Sequence, residues 1–139
     1  MRIEKTIASV VEFIPKVIFE VLQELSLKVP LTERDRHDLN LILEEAITNA
    51  IQHGNQFDMS QNVRLILEYD NDTVTIRVKD AGEGFNYQKL SESDLKEPNE
   101  KMESFGRGIF LIRKIADQVS FNETGSEVCI RKRIQSKDS

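Results

Sequence analysis

Glu45 and Asn49 stand four residues apart in the stretch Leu39 to Asn55. On a helix that spacing sets them one turn apart on one face. A carboxylate stacked on a carboxamide suits a metal-bound polyphosphate. The Asn oxygen is a neutral ligand for a hard cation such as Mg²⁺, which is commonly shared with substrate phosphates. The Glu can accept a proton from an incoming hydroxyl or orient a water. A solvated Glu and Asn on an amphipathic helix are the ordinary alternative. Glu44 reads as a solvated or structural carboxylate, and Thr48 as a neighbour facing the bound nucleotide.

Two glycine-bearing segments supply what that pair lacks. In Asp80-Ala81-Gly82-Glu83-Gly84, a strand ends on an Asp whose carboxylate can accept a hydrogen bond from an exocyclic amine such as that of adenine. Gly82 and Gly84 allow positive φ and a close backbone approach to a ligand. A plain Asp-Gly turn is the competing reading. In Ser104-Phe105-Gly106-Arg107-Gly108, a helix opens after a polar loop. Helix N-termini bind phosphate through unpaired N–H groups, and Arg107 can add a charge-assisted contact. A hinge with a solvated Arg would look the same.

His53 lies one turn past Asn49 and reads first as a helix-end His interacting with the dipole, with an approach to the phosphates as the other option. His37, among Arg34, Asp35, Arg36 and Asp38, reads as part of a solvated face. The lone Cys129 rules out an internal disulfide and a Cys-based zinc site.

The elements that must hold these residues follow from periodicity. Leu39, Ile42, Leu43, Ala46, Ile47 and Ala50 recur at helical spacing. This helix is expected to start at a Thr32 N-cap, run to about His53 and stop at Gly54. An earlier helix is expected to about Leu27, with Ser9 and Glu12 as a capping box and Pro15 blurring its start. Arg2–Ala8 alternates like an edge strand. Val63 to Glu68 and Val74 to Lys79 form a hairpin around Asn71-Asp72, and Val119–Asn122 and Glu127–Ile134 form a second. A third helix is expected from about Gly108 to Asp117. The polar run Asn86 to Ser104 is too long for a plain connection and reads as a lid.

The chain has 139 residues, 39% of them hydrophobic, which suits one domain over residues 1–134 with a lid at about 86–105 and a polar tail at 135–139. A net charge of −5 disfavours nucleic-acid binding. No apolar run reaches membrane-spanning length and no secretory leader is evident, so a cytoplasmic setting without membrane association is expected. Antiparallel strands separated by helices predict an α+β fold: a two-layer sandwich with a mixed, mostly antiparallel sheet and helices on one face.

In this order the segments resemble the ATP-binding fold shared by histidine kinases, gyrase-type topoisomerases and a heat-shock chaperone family (the GHKL, or Bergerat, histidine kinase-like ATPase fold). Glu45 to Ala50 resembles its N box, Asp80 to Gly84 its G1 box, and Gly106 to Gly108 its G2 box. Gly125-Ser126-Glu127-Val128 takes the place of a Gly-Thr segment near adenine, with Ser126 where Thr is usual. Asn49 to Asn55 and Gly106 to Ile112 look most like bacterial anti-sigma factor serine/threonine kinases of the RsbW and SpoIIAB type.

That resemblance implies ATP and Mg²⁺ as cofactors, with Asn49 on the metal and Glu45 as catalytic base. It implies Asp80 on adenine, Gly82 and Gly84 shaping the pocket, Gly106, Arg107 and Gly108 on the phosphates, and Thr48 nearby. It implies a STAS-fold anti-sigma factor antagonist as phosphoacceptor, with a sigma factor and a second copy of the chain as further partners. A nucleotide-responsive binding module that sequesters a partner without catalysis is the alternative. No dimerisation helices with a phosphoacceptor His stand before the N box, so a detached histidine-kinase domain ranks below both.

Overall fold

A computed structural model of the chain describes residues 1–82 and 104–134, with side chains from Arg107 in the second segment. Strand β1 (Arg2–Ala8) is followed by a single 3₁₀ turn, Val11–Phe13, and helix α1 (Ile14–Ser26). Helix α2 (Glu33–Asn49) continues into a π-helical turn, Ala50–Gly54. Strands β2 (Asn62–Asp70) and β3 (Thr73–Lys79), helix α3 (Ser104–Ile115), and strands β4 (Gln118–Phe121) and β5 (Glu127–Arg133) complete the order.

The five strands lie in the order β1-β2-β3-β5-β4. Every pairing is antiparallel, so the expected α+β sandwich has a purely antiparallel sheet rather than a mixed one. Period-two alternation sets the register: Ile3 faces Leu67, Leu67 faces Ile76, and Ile76 faces Ile130. These side chains are buried with Ile18, Leu25, Leu39, Ile47, Ile109 and Ile112 in one core, so the three helices cover one face. The other face is wet and charged, with Arg77 bridging to Glu68 at 2.6 Å across the β2–β3 pair. Such exposed pairs add only about 0–1 kcal/mol each.

Local chemistry explains the joints. Asn71 and Asp72 both adopt positive φ, 50° and 63°, the geometry of a two-residue hairpin turn whose twist matches the strands. Thr32 caps α2: its hydroxyl accepts from the Asp35 N–H at 3.0 Å, and the Asp35 carboxylate accepts from the Thr32 N–H at 3.1 Å. That reciprocal box satisfies two orphan donors. All six apolar stripe residues of the central helix are buried.

Three boundaries differ from expectation. Ser9 caps nothing. Its hydroxyl donates to the Gln61 carbonyl at 2.7 Å, and α1 begins at Ile14 with Pro15 in its first turn. The α-helical part of α2 ends at Asn49, because the next turn widens to π geometry. Helix α3 begins at Ser104 rather than near Gly108, which puts Gly106, Arg107 and Gly108 within its first two turns. The lid expected at 86–105 lies outside the described residues except for 104 and 105, which are helical; the tail at 135–139 lies outside them too. Among the described residues no helix is long and apolar enough to cross a membrane.

Candidate functional site

Helix α2 delivers Asn49 with its apolar stripe buried beneath it, and strand β3 delivers Asp80 one residue past its end. The two side chains line one hollow of about 350 Å³, open to solvent, at the lower end of the usual size range for small-molecule sites. Ala46, Ala50, Val78, Ile109, Phe121 and Val128 make apolar walls, and Asn49, His53, Asp80 and Ser126 place polar groups among them. An apolar slot with a few convergent polar atoms can hold a flat heterocycle by its faces and read its edge.

Asp80 is held from both sides. Its backbone N–H donates to the Ser126 carbonyl at 2.9 Å, and its Oδ1 accepts from the Gly82 N–H at 2.9 Å. Burial pushes its carboxyl above the ordinary value of 3.8, while the Gly82 N–H pulls the other way. Ser126 is itself fixed: its hydroxyl accepts from Asn122 Nδ2 at 3.0 Å and lies 2.8 Å from the Thr124 hydroxyl. The Ser in place of Thr therefore keeps both its backbone tie to Asp80 and a place in the wall.

The glycines serve by being small. A Cβ on Gly54 would overlap the Asp80 carboxyl group, and one on Gly82 would overlap the Gly54 carbonyl oxygen. Neither glycine takes a positive φ, so the need at Gly82 is room rather than the backbone freedom expected for it. A Cβ on Gly108 would sit 2.8 Å from Glu45 Oε2 and 2.9 Å from Asn49 Nδ2. Gly108 thus marks where α3 meets both α2 side chains at once.

Glu45 is half-buried, and burial, followed by the charge of Glu44, raises its carboxyl above the ordinary 4.5. A carboxylate shifted toward neutrality is better matched to proton transfer near pH 7. Asn49 is 8% exposed, and its Nδ2 is buried without a hydrogen-bond partner. Leaving such an atom unsatisfied costs about 1–3 kcal/mol. The amide orientation is set by its partners, and turning it over presents Oδ1 to the same place, which fits a hard cation. Among the described residues no three His, Cys, Asp or Glu side chains gather as a metal cage. A cation here would be held as Mg²⁺ commonly is, by one or two protein oxygens and its substrate's phosphates.

Not every expected residue comes to the hollow. Thr48 lines a different groove, with Val11, Ile14, Ile18 and Glu44 between α1 and α2, because one residue before Asn49 is about 100° around the helix. Arg107 is exposed and does not line the hollow. Gly106 lies in α3, and Gly84 lies outside the described residues. His53, Gly54 and Gly125 do line the hollow. Gly54 was expected only to end a helix, and its place one turn after Asn49, before a second glycine-bearing turn, was the available signal.

The chain matches the family model described as histidine kinase-like ATPase domain over residues 11–132. It is similar to proteins named serine-protein kinase RsbW. Identity to that of Oceanobacillus iheyensis is 33%, over 61% of this chain and 56% of the relative. To that of Bacillus mycoides it is 28%, over 73% and 66%, and to that of Staphylococcus aureus 30%, over 75% and 69%. The matched region thus spans little more than half to about two-thirds of these relatives' own lengths. With Asn49 and Asp80 facing one hollow and α3 closing on Glu45, the chain belongs to the histidine kinase-like ATPase domain family.

Proposed function

We propose that the protein is an ATP-dependent serine/threonine protein kinase that acts as an anti-sigma factor and phosphorylates a STAS-fold antagonist. The observation that carries this reading is the joint approach of Glu45 and Asn49 to Gly108 beside the Asp80 hollow. It puts a carboxylate of raised pKa and an unsatisfied carboxamide next to an apolar slot. The names of the similar proteins support the kinase reading.

In this reading Asp80 accepts from the adenine amine, and Ala46, Ala50, Ile109 and Val128 pack its faces. Ser126 and Gly82 keep the Asp80 carboxylate in place. Asn49 holds Mg²⁺, which with ATP supplies a γ-phosphoryl group whose charge is neutralised for transfer. Glu45 takes the proton of the acceptor hydroxyl. Gly108 lets α3 come close enough for its neighbours Gly106 and Arg107 to serve the phosphates. Residues 86–105 would act as the lid and Gly84 as a further pocket glycine. A sigma factor and a second copy of the chain are the other proposed partners, in a cytoplasmic setting.

The test is incubation of the protein with γ-labelled ATP, Mg²⁺ and candidate STAS proteins. Label transferred to a Ser or Thr, and lost in Glu45→Ala that still binds nucleotide, supports the reading. Nucleotide binding without transfer to any candidate favours a binding module that sequesters its partner, and no affinity for the nucleotide ends both.

A further inference from the structure

Asn55 is 2% exposed and is the first residue past the π-helical turn. Its backbone N–H donates to the Ala50 carbonyl at 2.8 Å, closing that turn. Its side chain reaches three other segments. Oδ1 accepts from the Ala81 N–H at 2.8 Å, while Nδ2 donates to the Ser9 hydroxyl at 2.9 Å and to the Asn62 carbonyl at 3.2 Å. The amide orientation is not arbitrary here: the Ala81 N–H can only donate and the Asn62 carbonyl can only accept.

Ala81 is the middle of the turn that presents Asp80. The Asp80 N–H is held by Ser126 and the Gly82 N–H by the Asp80 carboxylate. Asn55 holds the one between, so each of three successive backbone donors has a fixed partner. The partner of the middle one comes from the end of α2, the element that carries Glu45 and Asn49. One rigid carboxamide therefore ties the two halves of the hollow together. We propose that Asn55 is a positioning residue: it sets the Asp80–Gly82 turn relative to α2 and thereby sets affinity for the adenine ring and its preference over guanine. This rests on the nucleotide reading given above.

Ser9 separates positioning from mere stability. It belongs to the same buried network but touches neither Ala81 nor the hollow. Ser9→Ala, Asn55→Ala and Asn55→Asp are compared by urea unfolding, by hydrogen exchange of the Ala81 amide in nucleotide-free protein, and by calorimetric titration with ADP and GDP. In Asn55→Ala the Ala81 amide is expected to exchange about tenfold faster, ADP affinity to fall about tenfold, and the ADP-over-GDP ratio to shrink, the effect of losing one buried hydrogen bond. Ser9→Ala is expected to lose stability with both readouts within about twofold of wild type, since its loss lies outside the turn. Asn55→Asp keeps the acceptor for Ala81, and is expected to recover exchange protection and ADP affinity while remaining less stable.

If Asn55→Ala does not fold, Asn55→Ser, which shortens the side chain away from Ala81, reads the same quantities. Unchanged Ala81 exchange in the Ala or Ser variant, or equal losses in Ser9→Ala, overturns the proposal. Wild-type protein that binds neither nucleotide overturns the nucleotide reading and the selectivity assigned to Asn55, and the exchange result then decides the anchoring separately.

Discussion

Gly54 and Asp80 touch so closely that no methyl group fits between the backbone of one and the carboxyl group of the other. The end of α2 and the end of β3 thus meet at a glycine, and the hollow exists because they do. Gly54→Ala should force the Asp80 carboxylate to turn away. Overpacking of this kind costs about 1–3 kcal/mol. The expected outcome is a lower urea midpoint and at least about tenfold weaker ADP binding, the equivalent of about 1.4 kcal/mol. Calorimetry and unfolding on the same preparation check both.

Asn49 offers the opposite balance. Its unsatisfied Nδ2 makes it a burden on the unliganded fold. Asn49→Ala should therefore leave the melting temperature unchanged or raise it, because removing an unpaired buried group offsets the small cavity. Affinity for Mg·ATP should drop by at least about tenfold, as expected when about 1.4 kcal/mol of binding is removed. Thermal unfolding with and without Mg·ATP measures both at once, and a large loss of stability without ligand would contradict this account.

Glu45 carries a pH signature. Its native pKa is raised by burial and by Glu44, so the native state holds the proton more tightly than the unfolded chain. That contribution to stability is fully present below pH 4.5, the ordinary value, and is lost as pH rises through the native pKa. Glu45→Gln should match wild type in stability below that point and exceed it at neutral pH. Glu44→Gln removes the second cause, so it should move the acid limb of the transfer rate to lower pH. Unfolding curves and rates measured across the acid range check the sign.

Gly108→Ala separates helix propensity from function. In an exposed helix the change would gain about 1 kcal/mol. Here the new methyl would press on Glu45 and Asn49 at 2.8 and 2.9 Å. Transfer should fall by at least about tenfold, a barrier increase of about 1.4 kcal/mol, while the overall fold persists. Steady-state rates beside a circular dichroism melt test this.

The sequence made the scaffold legible wherever periodicity governs it. The alternation of β2 and β3, the Asn71-Asp72 turn and the stripe of α2 all fold as their residue types require. It also brought Asn49 and Asp80 to one hollow, because helix spacing and a strand end are local signals. Ser9 shows what was hidden. A Ser followed by Glu12 has the local form of a cap, yet its hydroxyl is used by Gln61 and Asn55, 52 and 46 residues away. Thr48 was misplaced because the two faces adjoining the stripe cannot be ranked before the partner helices are known. Gly54 and Asn55 were missed as site residues because their importance is a contact with a distant turn.

The widened turn at Ala50–Gly54 makes this segment unusually intolerant of changes in chain length. Excising one residue there would let the helix revert to ordinary winding and swing everything after it by about 100°. Single-residue deletions across 50–54 should accordingly be far more damaging than deletions in the 58–61 loop, even though both lie outside regular α or β structure. Insertion–deletion scanning would reveal this as a sharp gap in the tolerated positions.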